Sequence, residues 1–172
     1  MFALDQKGNC MDPLNELLRE MRKVPWFKNF SAESLRKIAE ISHLRTVRPE
    51  EVFFHEGDKQ DYLYVVLEGR VALDMYVPSR GKVRFYTAEN GDEFGWSSAT
   101  PNIHQRTAGA VAVMDGKVLA IDSKKLRQLC EADHDLGYLI MNRLNILVAS
   151  RLLVTRLQLM DIFAKPPEIM NA

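Results

Sequence analysis

The spacing of apolar residues changes twice along this chain, and that change limits the architectures open to it. Up to His43 apolar residues recur every three or four positions, and after Ser123 that spacing returns. Between these points the period is two, which is the signature of strands with one buried face. Seven short runs are expected as strands: Leu44–Arg48, Val52–His55, Tyr62–Leu67, Val71–Val77, Val83–Thr87, Thr107–Met114 and Lys117–Asp122. Gly57-Asp58, Glu68-Gly69, Ser79-Arg80-Gly81, Gly91-Asp92 and Asp115-Gly116 punctuate them. Asp115-Gly116 between two apolar runs reads as a hairpin, since a tight two-residue turn needs positive φ. Val71, Leu73, Met75 and Val77 are expected to form the buried face of one strand, with Ala72, Asp74 and Tyr76 opposite. Many short strands at this spacing indicate a sandwich, jelly roll or barrel.

The flanks read as helices. Asp12 suits a cap and Pro13 a first helical position, with Leu14, Leu17, Leu18 and Met21 on one face. Trp26, Phe27 and Phe30 form an aromatic knot after Pro25. Ser31 opens a second helix carrying Leu35, Ile38 and Ile41, with Glu33 placed favourably for the helix dipole. Ser123 is expected to cap a short helix, and Asp133 or Asp135 a long one reaching about Ile162, roughly 40 Å at 1.5 Å per residue. That helix is apolar on two sides. Leu139, Ile146, Leu153, Leu157 and Met160 share one, and Ile140, Leu144, Val148, Leu152 and Leu159 the other. One side should meet the sheet and the other a partner, most simply the same helix of a second subunit; folding back on the N-terminal helices is the alternative.

Composition narrows the function. Acidic and basic residues balance at 23 each, so the basic excess of a nucleic-acid-binding domain is missing. Cys10 and Cys130 fit no metal spacing, and a reduced thiol pair in the cytoplasm is expected. No signal peptide is read at the N-terminus, and no apolar run approaches a bilayer span, so no membrane partner is expected. His43, His55, His104 and His134 are scattered, which disfavours a metal site and with it a jelly-roll metalloenzyme. The expectation is a non-enzymatic protein without cofactor or metal. The stretch from Gly91 to Val113 suits a small anion, because glycine and serine leave backbone N–H groups reachable and Arg106 opens a strand.

Helices, punctuated strands, that loop and a closing helix together resemble the cyclic nucleotide-binding domain family, the β-roll sensor of catabolite-activator-type regulators, kinases and channels. Val52–Asp58 followed by Tyr62–Val71 matches the family's paired strands and turns, and Gly91–Gly95 the opening of its phosphate-binding cassette. Arg106 follows Gly95 by eleven residues, the family's spacing to its phosphate-binding arginine. The implied fold is mainly β with flanking helices: an antiparallel double-stranded β-helix or jelly roll (β-roll), with N-terminal helices and a long C-terminal helix. It makes 1–163 one domain, with helices over 12–42, the roll over 43–122, a short and a long helix over 123–163, and a tail over 164–172.

The resemblance implies that Arg106 contacts the phosphate, that Thr107 adds a hydroxyl or N–H, and that amides around Gly95, Trp96, Ser97 and Ser98 complete the cradle. Arg151 on the long helix would close over the base, with Arg143 and Asn142 weaker candidates. At Trp96 the sequence departs from the family, which usually has a glutamate that accepts from the ribose 2′-hydroxyl. An indole offers a donor and no acceptor. Either Trp96 fills the ribose pocket, or it stacks on another planar or apolar anion. The implied function is a ligand-sensing module that binds a cyclic nucleotide or other small anion, signals through its long helix, and acts as a homodimer on an unknown partner protein. The alternative is a degenerate roll that binds no nucleotide and serves dimerisation or protein interaction.

Overall fold

The structure, a computed structural model, describes residues 12–59, 61–100 and 105–164. The expected helices form where their caps lie. Asp12 accepts from the Leu14 amide at the start of α1 (Pro13–Lys23), and Ser31 accepts from the Ser34 amide before α2 (Ala32–Glu40). Between them the 3₁₀ turn Pro25–Phe27 holds the aromatic knot, with Trp26 edge-on to Phe27 at 4.7 Å and stacked on Phe30 at 5.8 Å.

Eight strands follow: β1 (Ser42–Val47), β2 (Val52–Phe54), β3 (Tyr62–Glu68), β4 (Val71–Val77), β5 (Gly81–Ala88), β6 (Glu93–Phe94), β7 (Gly109–Ala112) and β8 (Gly116–Asp122). They pair antiparallel into two four-stranded sheets, ordered β1-β8-β3-β6 and β2-β7-β4-β5. This is the expected β-roll. The first sheet is buried on both faces. Tyr64, Val66, Phe94, Val118 and Ala120 meet Phe54, Val71, Ala88 and Ala110 of the other sheet inside the roll. Leu63, Val65, Leu119 and Ile121 point the other way, into a core shared with the helices.

Several expectations give way. Asp115-Gly116 is not a hairpin, because β7 and β8 lie in different sheets and the chain crosses between them there. Gly116 is needed instead for close approach, since a Cβ on it would collide with Glu68 O. Strand β4 does not alternate as expected. Val71 and Ala72 are both buried and Met75 and Tyr76 both exposed, with a register shift between Leu73 and Asp74 breaking the period. Glu93 and Phe94, which follow the Gly91-Asp92 punctuation, make the short β6 on the edge of β3, a strand outside the seven expected runs.

Asp122, not Ser123, caps α3 (Ser123–Ala132), accepting from the Lys125 amide. Asp133 accepts from the Leu136 amide at the head of α4 (His134–Ala164, 31 residues). Leu136, Ile140, Leu144 and Leu147 are buried in the helix-side core with Leu17, Met21 and Trp26, so the first half of α4 packs among the N-terminal helices. Beyond Leu147 the helix outruns that core. Val148, Leu152, Leu153, Leu157, Leu159 and Met160 are exposed there, as is Ile146 just before Leu147; Val148, Leu152 and Leu159 were expected on the face of Ile140. Among the described residues α4 is also long and apolar enough to cross a membrane, with a window of mean hydropathy 1.2, contrary to the count of uninterrupted runs. Polar residues such as Arg143 and Asn145 break the run without lowering the mean far enough. Part of that apolarity is the core seam just described.

Candidate functional site

Two turns set the site. Gly57 (φ 86°) lets the chain reverse after β2 so that its amide donates to Arg106 O, and the Arg106 amide returns a bond to Asp58 O, at 2.8 and 2.9 Å. The side chain of Arg106 thereby enters between the sheets. Its face lies 4.1 Å over the Phe54 ring, on an aromatic stack in which Tyr64 and Phe94 are parallel at 4.8 Å. The second turn is Gly95 (φ 72°), in the left-handed region that glycine tolerates. A Cβ there would stand 2.7 Å from Arg106 Nη1, so glycine is required both for the backbone and for the guanidinium's approach.

Arg106 is 4% exposed. Nη1 donates to Gly95 O at 2.8 Å and Nη2 to Tyr62 O at 2.7 Å, while Nε has no partner. No carboxylate pairs with it among the described residues. Burial lowers the guanidinium's pKa, opposed by Tyr64, Asp61 and Asp58. The result is a buried cation held by two carbonyls and the Phe54 ring with no carboxylate in contact among the described residues, a costly arrangement.

A cavity of about 200 Å³ opens beside it, walled by Phe54, Leu73, Met75, Phe85 and Tyr86 of the roll and by Val154, Thr155 and Gln158 of α4. Of the sequence-predicted site residues, Gly95, Trp96, Ser97, Arg106, Thr107 and Arg151 all line it. Trp96 opens the 3₁₀ turn Trp96–Ala99, half-buried against the helix-side core, and the cavity persists alongside it. Ser98 is not on the wall. It is fully buried, its hydroxyl donates to Gly95 O at 2.8 Å and accepts from Ser123 Oγ at 2.6 Å, and its amide is also given to Gly95 O. Arg127 donates to Ser98 O, so this turn is tied to α3. Arg143 donates to Lys28 O, and Asn142 is exposed; neither lines this cavity.

Helix α4 is seated over the mouth. The Arg151 guanidinium lies 3.2 Å from the Tyr86 ring centroid, and Gln158 donates to Phe85 O at 3.4 Å. Burial lowers the Arg151 pKa to about 10. The residue that sequence reasoning passed over is Glu93, also on the wall, whose carboxyl burial pushes up to about 7, with Asp92 adding to the shift and its own amide and Arg143 opposing it. The signal for it was a carboxyl set directly before Phe94 and facing away from that ring. Elsewhere, burial raises the Cys130 thiol to about 11, and Cys10 lies outside the described residues.

Comparison with known proteins agrees with this geometry. The family model described as "Cyclic nucleotide-binding domain" matches residues 44–133, from β1 through α3. The cGMP-dependent protein kinase isozyme 1 of Drosophila melanogaster is 29% identical over 112 residues, 63% of this chain but 14% of the kinase. A putative cyclic nucleotide-binding protein from Geobacter metallireducens superposes with a TM-score of 0.69 at 29% identity, covering 83% of this chain and 98% of that one. A cyclic nucleotide-binding domain from Methylobacillus flagellatus gives 0.73 at 22% identity, over 91% and 86%, which speaks to the fold alone. With the family model covering more than half of the chain and the roll in the expected order, the chain belongs to the cyclic nucleotide-binding domain family.

Proposed function

We propose that this chain is a non-enzymatic, cytoplasmic sensor module whose 1–163 stretch acts as one unit. It binds a cyclic nucleotide, or another small phosphate-bearing anion, through Arg106 and signals by a change in the seating of α4. The observation that carries the reading is the buried Arg106 guanidinium, without a carboxylate and with an idle Nε, on the wall of a cavity. A phosphate would supply the missing counter-charge and accept the donors that the two carbonyls leave over. Gly95, Trp96 and Ser97 would form its cradle and Thr107 a further donor, while Arg151 would meet the ligand from α4. A cGMP-dependent kinase among the relatives supports a cyclic nucleotide as the ligand.

Signalling requires that the ligand prefer one seating of α4 over another. The contacts that differ would be Arg151 on Tyr86 and Gln158 on Phe85 O, which now rest on the roll. The exposed Leu153, Leu157 and Met160 suit a homodimer through α4, from which the signal would pass to a partner protein. A thermal-shift screen against cyclic mono- and dinucleotides, with linear nucleotides as controls, tests the reading. A shift that disappears in Arg106→Ala is expected; a flat screen to millimolar concentration would overturn it.

The second reading is a roll that has lost its ligand and serves assembly. Its support is the size of the cavity, about 200 Å³, which is below the 300–1,000 Å³ or so of ordinary small-molecule sites. Under this reading Arg106→Ala leaves association of the chain unchanged and no nucleotide shifts its melting.

A further inference from the structure

Among the described residues that wall the cavity, Glu93 is the one carboxyl. Strand β6 fixes its direction: Phe94 turns into the roll against Tyr64, so Glu93 faces the helix side, where α4 lies. A second cleft of about 280 Å³, bounded by Pro25, Trp26, Asp92, Arg143 and Leu147, shares Tyr86, Glu93 and Arg151 with the first. Glu93 therefore stands at the junction of the two spaces, half-buried. Among the described residues its side chain forms no ion pair and no hydrogen bond with another side chain, although Arg151 borders the same spaces. A carboxyl in that position is unfavourable unless something donates to it.

We propose that Glu93 is the hydrogen-bond acceptor that reads the ligand, so that the molecule held by Arg106 presents a pair of N–H donors to this carboxyl, as a guanine ring does. The proposal rests on the reading that Arg106 holds the anionic end. Trp96 supplies only a donor, which leaves Glu93 as the one anionic acceptor on the wall among the described residues. An ionised carboxylate accepts at both oxygens and matches the adjacent N1–H and N2–H groups of guanine. The corresponding edge of adenine offers one donor and one acceptor, which suits the protonated carboxyl instead. With its pKa near 7, Glu93 passes between these states in the working range. Among the described residues, the charged and titratable groups that share its two spaces are Asp92 beside it, Tyr86 from β5, Arg106 on the wall of the first cavity, and Arg143 and Arg151 from α4; Pro25 and Trp26 contribute none. Asp92 already accepts from Tyr86 Oη at 2.8 Å and from the Glu89 amide.

The experiment titrates the full chain with cyclic GMP and cyclic AMP by calorimetry from pH 6 to pH 8, for the parent, Glu93→Gln and Arg106→Ala. The cyclic phosphodiester does not titrate in this range, so a slope reports the protein. Cyclic GMP favours the ionised carboxyl, so its affinity should rise toward pH 7 by up to about tenfold per unit and then level. Cyclic AMP should follow the opposite slope. Glu93→Gln should flatten both profiles and weaken cyclic GMP at pH 8 roughly tenfold or more, while Arg106→Ala should weaken both nucleotides at every pH. A pH-independent affinity, or an equal loss of both nucleotides in Glu93→Gln, overturns the role of Glu93 and leaves that of Arg106 standing. No binding of either nucleotide to the parent at millimolar concentration overturns both.

Discussion

Replacing Arg106 by methionine separates the two reasons a protein has for burying a cation. If Arg106 is structural, its loss unfolds the roll. If it is retained for a ligand, the ligand-free protein should scarcely notice. The substitution removes two charge-assisted bonds, to Gly95 O and Tyr62 O, at roughly 1.5–3 kcal/mol each. It also removes the contact over Phe54, roughly 0.5–2 kcal/mol. Against this stand the desolvation of an ion without a counter-ion, about several kcal/mol, and the stranded Nε, roughly 1–3 kcal/mol. Gly95 O retains the amide and hydroxyl of Ser98, so only Tyr62 O loses its side-chain donor. The two sides nearly cancel. Methionine fills much of the same volume beside Phe54, and the variant should lie within about 2 kcal/mol of the parent, roughly 4–8 °C in melting temperature for a chain of this length. Nucleotide at a hundred times its Kd should stabilise the parent by about 2.7 kcal/mol and the variant not at all. Calorimetric melting with and without cyclic GMP reads both quantities. A variant that melts more than about 10 °C lower would refute the reasoning and make Arg106 a structural rivet. Equal nucleotide shifts in both proteins would remove it from the site.

Gly95→Ala should be more damaging than its single methyl suggests, because it meets both a positive φ and a guanidinium 2.7 Å away. A loss of roughly 1–2 kcal/mol from the backbone alone, together with loss of nucleotide response, is expected in the same melting assay, and an unaltered response would count against the close approach. The Glu93 carboxyl has its folded-state pKa raised by burial from 4.5 to about 7, so the folded protein binds the proton more tightly than the unfolded chain. Its contribution to stability is therefore present below about pH 4.5 and is lost as pH rises toward 7. Denaturation across that window should show the parent losing stability relative to Glu93→Gln as pH rises; a difference that stays constant with pH would refute the burial argument. Leu153 and Leu157 are 60% and 54% exposed, so Leu153→Glu with Leu157→Glu should leave the melting temperature of the isolated chain nearly unchanged. Sedimentation should then show any dimer of the parent dissociating, and an undisturbed dimer would place the interface elsewhere.

The parts of this fold that were legible in the sequence are those decided by neighbours in the chain. Asp12 and Ser31 cap because a side-chain oxygen lies within reach of the first free amides, and the residue types alone say so. The run of short strands followed from the period of two, the roll from the family resemblance, and Arg106 and Arg151 from family spacing, and both line one cavity. What was illegible depends on partners far along the chain. Strand β6 has two residues and exists because β3 offers an edge, so no local pattern announces it. Asp115-Gly116 has hairpin chemistry but joins two sheets, a fact fixed by β8 pairing with β1 and β3 rather than with β7. Ser123 has cap chemistry too, yet its hydroxyl is spent on Ser98, and Asp122 before it does the capping. Ser98 was expected in the cradle and faces the other way for the same reason. Glu93 was overlooked because a two-residue strand carries no alternation to give its side chain a direction, and only the pairing of β6 with β3 shows which way it points.

The head of α4 has a mechanical consequence. Gly137 sits where a Cβ would stand 2.7 Å from Cys130 O, so α3 and α4 touch backbone to backbone there, and the helix then runs to Ala164. From that fulcrum the free end is about 40 Å away at 1.5 Å per residue, so a tilt of about ten degrees displaces it by about 7 Å. Among the contacts beyond Leu147 that oppose such a tilt, Arg151 on Tyr86 and Gln158 on Phe85 O lie at the cavity mouth. The site is thus placed along the arm of a lever, where a small rearrangement at the cavity mouth becomes a larger displacement at the helix's end.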